Sequence, residues 1–131
     1  MTTREARRLS LEEIDSQNAM WFAWHQTEHL RYGSPRGRWY LCDGDRWARC
    51  SENDLRRRAL QTAQSIACAA RDASEYKRRE SLRQMASRLQ LPEGLHRMVA
   101  FARFNRAIQT DLFIEAEVAD LRGVAERTVA A

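Results

Sequence analysis

"GRWYLCDGDRW", residues 37–47, decides how the rest of the chain is read. Two tryptophans flank an Asp-Gly pair, and the runs on either side, Trp39 to Cys42 and Asp45 to Arg49, alternate apolar and polar residues. Asp-Gly is a favoured two-residue type I′ turn, because both of its central residues need positive φ. The pattern predicts a β-hairpin over about 38–49, turning at Asp43-Gly44. Trp39 and Leu41 fall on one face, which Trp47 can join across the strands or diagonally. A lone hairpin is marginal in water. It needs a partner, and the aromatic run "MWFAW" at 20–24 is the natural one. Trp39 and Trp47 are therefore expected to be largely buried against the first helix.

Outside the hairpin the periodicity is helical. A helix is predicted over 9–30, with Ser10 as N-cap and Glu13 completing a capping box. Leu11, Ile14, Asn18, Trp21, Phe22 and His25 form its i, i+3, i+4 stripe. "RYGSPRGR" at 31–38 breaks it with two Gly and a Pro. A second helix is predicted over about 53–72, with Leu55, Ala59, Thr62, Ala63, Ile66 and Ala70 inward. A third, about 74–90, turns Leu82, Met85, Ala86 and Leu89 inward. "LPEG" at 91–94 punctuates, and a fourth helix over about 94–109 offers Leu95, Met98, Val99, Ala102 and either Phe101 or Phe104. The fold class is mainly α, a small helical domain with one short hairpin. The 131 residues are read as a single domain. Residues 1–8 are expected to be disordered, and 110–131 to form an acidic, mostly helical C-terminal segment.

The composition is globular, 44% hydrophobic and 31% charged. No apolar run approaches a membrane span, and "MTTREARRLSLEEID" lacks the apolar core of a signal peptide. The expectation is a cytoplasmic protein with no membrane association. Cys42, Cys50 and Cys68 are an odd number without framework spacing, which suits reduced thiols.

The formal charge of +4 is spread unevenly. Residues 1–30 carry three Arg against five acids, residues 31–106 carry 17 basic against eight acidic groups, and residues 107–131 carry two against five. The middle is basic and the ends are acidic. Of the 22 basic residues all but Lys77 are arginine. Arginine makes bidentate phosphate contacts that lysine cannot, although a GC-rich genome produces the same bias. Arg56, Arg57, Lys77, Arg78, Arg79, Arg83 and Arg88 are the candidate phosphate-tracking or partner-binding residues. The bland reading of the same residues is a solvated helix face balanced by Asp54, Asp72, Glu75 and Glu80.

Motifs for catalysis are weak. "HQTEH" at 25–29 matches the inverted zinc-protease pattern H-x-x-E-H, with Glu28 as its base. A third ligand is undefined and the segment ends at the Gly/Pro break, so a helix end favouring His side chains is the simpler account. The cysteines form no C-x-x-C pair. There is no glycine-rich phosphate loop, no G-x-S-x-G and no acidic cluster for two metals. The expectation is a non-enzyme with no catalytic residue, no metal and no cofactor.

The order "NAMWF…HLRYGSPRGRWYLCDGDRW…LRRRALQTAQSI…LHRMVAFAR" resembles the N-terminal region of phage and plasmid primase–helicases, which precedes a superfamily 3 helicase core. The matching residues are Asn18, Ala19 and Phe22, then Leu30, Arg31 and Tyr32, then Trp39, Asp43, Gly44 and Trp47. They cover roughly 18–105, and the hairpin is their most specific part. The resemblance implies a structural hairpin, and descent from a mobile-element replication protein in a truncated, stand-alone form. It implies no helicase or primase activity, because "IEAEVADLRGVAERTVAA" follows Phe113 where an ATPase is expected. Two functions follow as expectations. The first is a non-catalytic phage or mobile-element accessory protein that binds DNA or a replication protein through an arginine-rich helical face. The second is a phage-encoded protein–protein inhibitor of anti-defence type, which occludes a host nucleic-acid-binding complex.

Overall fold

The computed structural model describes residues 7–33, 37–44 and 46–110. The elements run α1 (Leu11–Gln26), β1 (Leu30–Gly33), β2 (Arg38–Asp43), β3 (Arg46–Arg49), α2 (Glu52–Asp72), α3 (Tyr76–Arg88), α4 (Pro92–Ala102) and β4 (Gln109–Thr110). The architecture is mainly α with a small sheet. Positions 1–6 of the expected N-terminal disorder, and 111–131 of the expected acidic helix, lie outside the described residues. No described helix is long and apolar enough to cross a membrane.

The start of α1 follows the capping box. Ser10 Oγ accepts from the Glu13 amide at 3.1 Å, and Glu13 Oε1 accepts from the Ser10 amide at 3.2 Å. Arg7 forks onto the same carboxylate at 3.0 and 2.6 Å. These hydrogen bonds, led by Arg7, hold the Glu13 carboxyl down to about 2. The helix ends at Gln26 rather than at residue 30. Residues 27–29 turn, and Leu30 already belongs to a strand. Ile14, Asn18 and Phe22 are buried as the stripe predicts, together with Asp15, Ala19, Ala23 and Gln26. Leu11 is exposed and so is His25.

The hairpin is part of a four-stranded sheet in the order β3-β2-β1-β4, antiparallel except for the parallel β1–β4 pair. Its turn lies one residue later than predicted. Asp43 still pairs with Arg46, so the strand runs through Asp43 and the turn opens at Gly44. A turn at Asp43-Gly44 would put a non-glycine at positive φ, and no described non-glycine residue has one. Gly44 takes that conformation instead, at φ +72°.

The faces of the sheet correct the aromatic assignment. Cross-strand partners share a face. Tyr32 pairs with Trp39 and Leu30 with Leu41, so these four line the core side. Trp39 meets Phe22 of α1 edge-to-face at 6.0 Å and Tyr32 at 5.1 Å. Trp47 pairs with Cys42 and therefore lies on the opposite face. There it is half-buried, with the Arg31 guanidinium 5.8 Å from its ring centre. Tyr40, on that same opposite face, is the most buried aromatic of β2, at 2% exposure. Of "MWFAW", Phe22 meets Trp39 ring to ring, while Met20 and Trp24 turn to solvent.

The later helices follow their predicted inward sets. Ala59, Thr62, Ile66 and Ala70 of α2, and Leu82 and Met85 of α3, are buried. All three later helices pack against α1. Pro92, expected as punctuation, is the first residue of α4, where its missing amide is harmless. Gly94 is buried because α4 passes the end of α3 closely. A Cβ there would lie 1.9 Å from the Arg88 carbonyl oxygen. The helix stops at Ala102, with Phe101 packed on the core and Phe104 outside.

Arg88 is a second correction. It was expected on an outer basic face, but its side chain is 9% exposed and forks onto Asp15 of α1, itself 6% exposed. Nε and Nη2 donate to the two carboxylate oxygens at 2.9 and 3.1 Å. Hydrogen bonding to Asp15 raises the guanidinium pKa further above its ordinary value. Arg88 is unavailable to a phosphate because its fork is already filled.

Three outcomes follow. Trp39→Ala should lower stability by about 2–3 kcal/mol, below the range for a fully buried aromatic. Trp47→Ala should cost clearly less, as read by chemical denaturation. Arg88→Ala should lower Tm by many degrees, because it strands a desolvated carboxylate, whereas Arg78→Ala should melt like wild type. The Glu13 contribution should be present above its unfolded-state pKa near 4.5 and vanish as pH falls through about 2. The Tm gap between wild type and Glu13→Gln should therefore close over that window.

Candidate nucleic-acid interface

The seven cationic candidates occupy different environments. Arg56 and Arg57 lie in the first turns of α2, both exposed, with Arg57 loosely paired to Asp54 at 3.4 Å. Lys77, Arg78 and Arg79 lie in the first turn of α3. At a rise of ~1.5 Å per residue, Arg57 is about 22 Å from the far end of α2, where α3 begins. The two groups therefore sit at opposite ends of α2.

Within α3 the side chains diverge again, because successive residues are turned about 100° apart. Arg79 is half-buried and donates to the Ser74 carbonyl at 3.4 Å. Its Nε is buried with no partner. Arg83 is held by Glu80 at 3.0 Å and lines a groove of about 720 Å³ with Leu11 and Tyr76. Arg88 is buried in the ion pair described above. Lys77 and Arg78 are exposed and, among the described residues, form no hydrogen bond or ion pair, as is true of Arg56. The seven do not form one continuous strip.

Lys77 and Arg78 line a different groove, of about 960 Å³, between α1 and α3. Its floor is Leu82 and Met85, and its opposite wall carries Met20 and Trp24. Trp24 is 78% exposed and Met20 56%. They are four residues apart on α1 and so share a face. Glu75 also lines this groove, one acid beside two cations. Its side chain makes no capping bond to α3. The first turns of α1, α2 and α4 carry acids, and that of α3 carries none. Cations there oppose the helix dipole. Reading the sequence for charge found Lys77 and Arg78 but passed over Trp24. The available signal was that Met20 and Trp24 lie off the apolar stripe of α1.

The other motifs are placed elsewhere. His25 Nδ1 lies 2.9 Å from Thr62 Oγ1, and Gln26 Nε2 lies 3.2 Å from the same nitrogen. His29 falls in the turn beyond α1, so the two histidines do not share a helical face. Among the described residues no group of three His, Cys, Asp or Glu side chains is placed to hold a metal. The three cysteines are free thiols. Burial, with the Asp54 charge, pushes the Cys50 thiol up to about 11, which keeps it protonated and unreactive. Of the hairpin residues, Trp39 bridges sheet and helix, while Asp43 and Gly44 end the strand and open the turn.

No curated protein and no solved structure matches the chain. A family model does match, described as D5 N terminal like, over residues 4–121. That span takes in α1, the sheet with its tryptophan hairpin, and the three later helices. The chain thus belongs to the D5 N-terminal-like family, the N-terminal domain of replication-related phage and plasmid primase–helicase proteins.

Proposed function

We propose that this domain binds nucleic acid without turnover, through phosphate contacts centred on Lys77 and Arg78 at the start of α3. The observation that carries this reading is that both cations are exposed and unpaired among the described residues. The other candidates on α3 are engaged by Ser74, Glu80 or Asp15. Membership of a replication-related family supports the choice of ligand. Arg56 is the third of the seven candidates that is unpaired among the described residues, and it lies at the other end of α2, within reach of a strand that follows that helix. A replication protein with an acidic surface, or a host complex occluded by the domain, would use the same charges. The test therefore has to measure nucleic acid directly.

Phosphate contacts release counterions, so log affinity should fall linearly with log salt, by about −0.7 per contact on a single strand. The double variant Lys77→Ala/Arg78→Ala should flatten that slope by about 1.4 and weaken all sequences alike. The measurement is fluorescence anisotropy of a labelled oligonucleotide across a salt series. Base preference should be slight, because phosphates position a protein without specifying sequence. Absence of binding at low salt, or an unchanged slope in the double variant, would remove this reading and leave a protein partner.

A further inference from the structure

We infer that the groove between α1 and α3 takes a single strand in preference to a duplex, with a base stacked on Trp24 and the backbone on Lys77 and Arg78. The inference rests on the phosphate reading above and adds to it a ligand class and a contact residue.

The argument starts from which apolar surface is actually free. Leu82 and Met85 form the floor, but the fold itself already buries them, at 2% and 4% exposure. The exposed apolar groups left on the groove are Met20 and Trp24. An amphipathic helix seated in a groove uses a row of anchors at i, i+3 or i+4, and i+7. Two groups one turn apart do not supply that row. A base, by contrast, needs one flat accessible ring, and every base has a π-face to offer it. Trp24, at 78% exposure, stands out from the wall of the groove with its ring open to solvent. Met20, one turn earlier, adds a polarisable contact beside it.

Charge complementarity points the same way. The cations facing Trp24 across the groove are Lys77 and Arg78, against Glu75. An aromatic platform on one wall and a backbone-tracking pair of cations on the other are the two parts of a single-strand site. A duplex keeps its bases stacked on one another and has none to place on Trp24 without unpairing. It would use the cations alone.

The experiment compares a labelled oligothymidylate with a duplex of equal length, by anisotropy. The proteins are wild type, Trp24→Ala, Trp24→Phe and Lys77→Ala/Arg78→Ala. Trp24 is exposed, so its replacement should leave the thermal melt unchanged, and circular dichroism checks this. Stacking contributes roughly 1–3 kcal/mol per base, so Trp24→Ala should weaken the single strand about 5- to 150-fold. Trp24→Phe should recover most of that loss. The salt slope of Trp24→Ala should stay at the wild-type value, because stacking releases no counterions. Duplex affinity should not change. Binding should quench indole fluorescence in wild type, and the quenching should be lost in Trp24→Phe.

Equal single-strand affinity in Trp24→Ala and wild type would overturn the stacking inference. If Lys77→Ala/Arg78→Ala still lost affinity, the phosphate reading would survive it. Preference for duplex would also overturn the inference. If no nucleic acid binds while Trp24→Ala changes the sedimentation coefficient or the affinity for an acidic peptide, both readings fail, and the groove belongs to a second copy or a protein partner.

Discussion

Asp15 is a carboxylate on the buried side of α1, and the arrangement of the helices depends on how it is neutralised. A desolvated charge is tolerated only when it is paired and its lone pairs are filled. Arg88 does both with a bidentate fork. One turn along, Asn18 Nδ2 donates to the Met85 carbonyl at 3.2 Å. These contacts are directional where apolar packing is not, so they set the register of α3 against α1. With that register fixed, Leu82 and Met85 must point inward, and Lys77 and Arg78 must emerge on the wall facing Trp24. A buried ion pair is weak evidence for net stability. Its role in this chain is to select one alignment of two helices, with the α1–α3 groove as the consequence.

The sheet solves a different problem. A two-stranded hairpin is marginal at best on its own in water. β1 extends it on one edge, and β4 arrives from beyond α4 to pair with β1. The Tyr32 amide donates to the Ile108 carbonyl at 2.8 Å, and Thr27 Oγ1 to the Ala107 carbonyl at 2.8 Å. The sheet thus joins the end of α1 to the end of α4. Phe22 and Trp39 make the perpendicular contact that seats it on the helices. The tryptophan hairpin of this chain closes the sheet onto the helices through Trp39, and its other tryptophan, Trp47, on the opposite face, is engaged by Arg31.

The helices were legible because their signals are local. Ser10 and Glu13 mark a start, and the spacing from Ala59 to Ala70 marks a buried face. The hairpin was legible for the same reason, although the need for glycine at positive φ moved its turn to Gly44. What the sequence concealed is non-local. β1 was hidden because Leu30 reads as the end of the helix and Arg31 to Gly33 as part of a Gly/Pro break, and its pairing depends on Ile108 and Trp39. β4 is two residues long and carries no pattern of its own. Arg88 reads as one more surface arginine until Asp15, 73 positions away, is placed beside it. Trp24 belongs to an aromatic run that could face anywhere until the partners of α1 are known. In the candidate site, the cations could be found by counting. Which of them are free, and what stands opposite them, could not.

The arginine-rich composition therefore does not translate into one free surface. Several of these guanidinium groups are committed to carboxylates, carbonyls or rings, as Arg7, Arg31, Arg79, Arg83, Arg88 and Arg103 are. Two local rules are broken at one place instead. Cations crowd the first turn of α3, where the dipole favours anions. A tryptophan and a methionine are left in water on the facing wall. Each is a small cost to the isolated fold, and sequences that agree with their structure elsewhere tend to keep such costs where they function. A polyanion would relieve the first and a stacked base the second. On the proposed function, one ligand that carries both, laid along a groove whose register Asp15 and Arg88 hold, would account for the coincidence more directly than two unrelated defects.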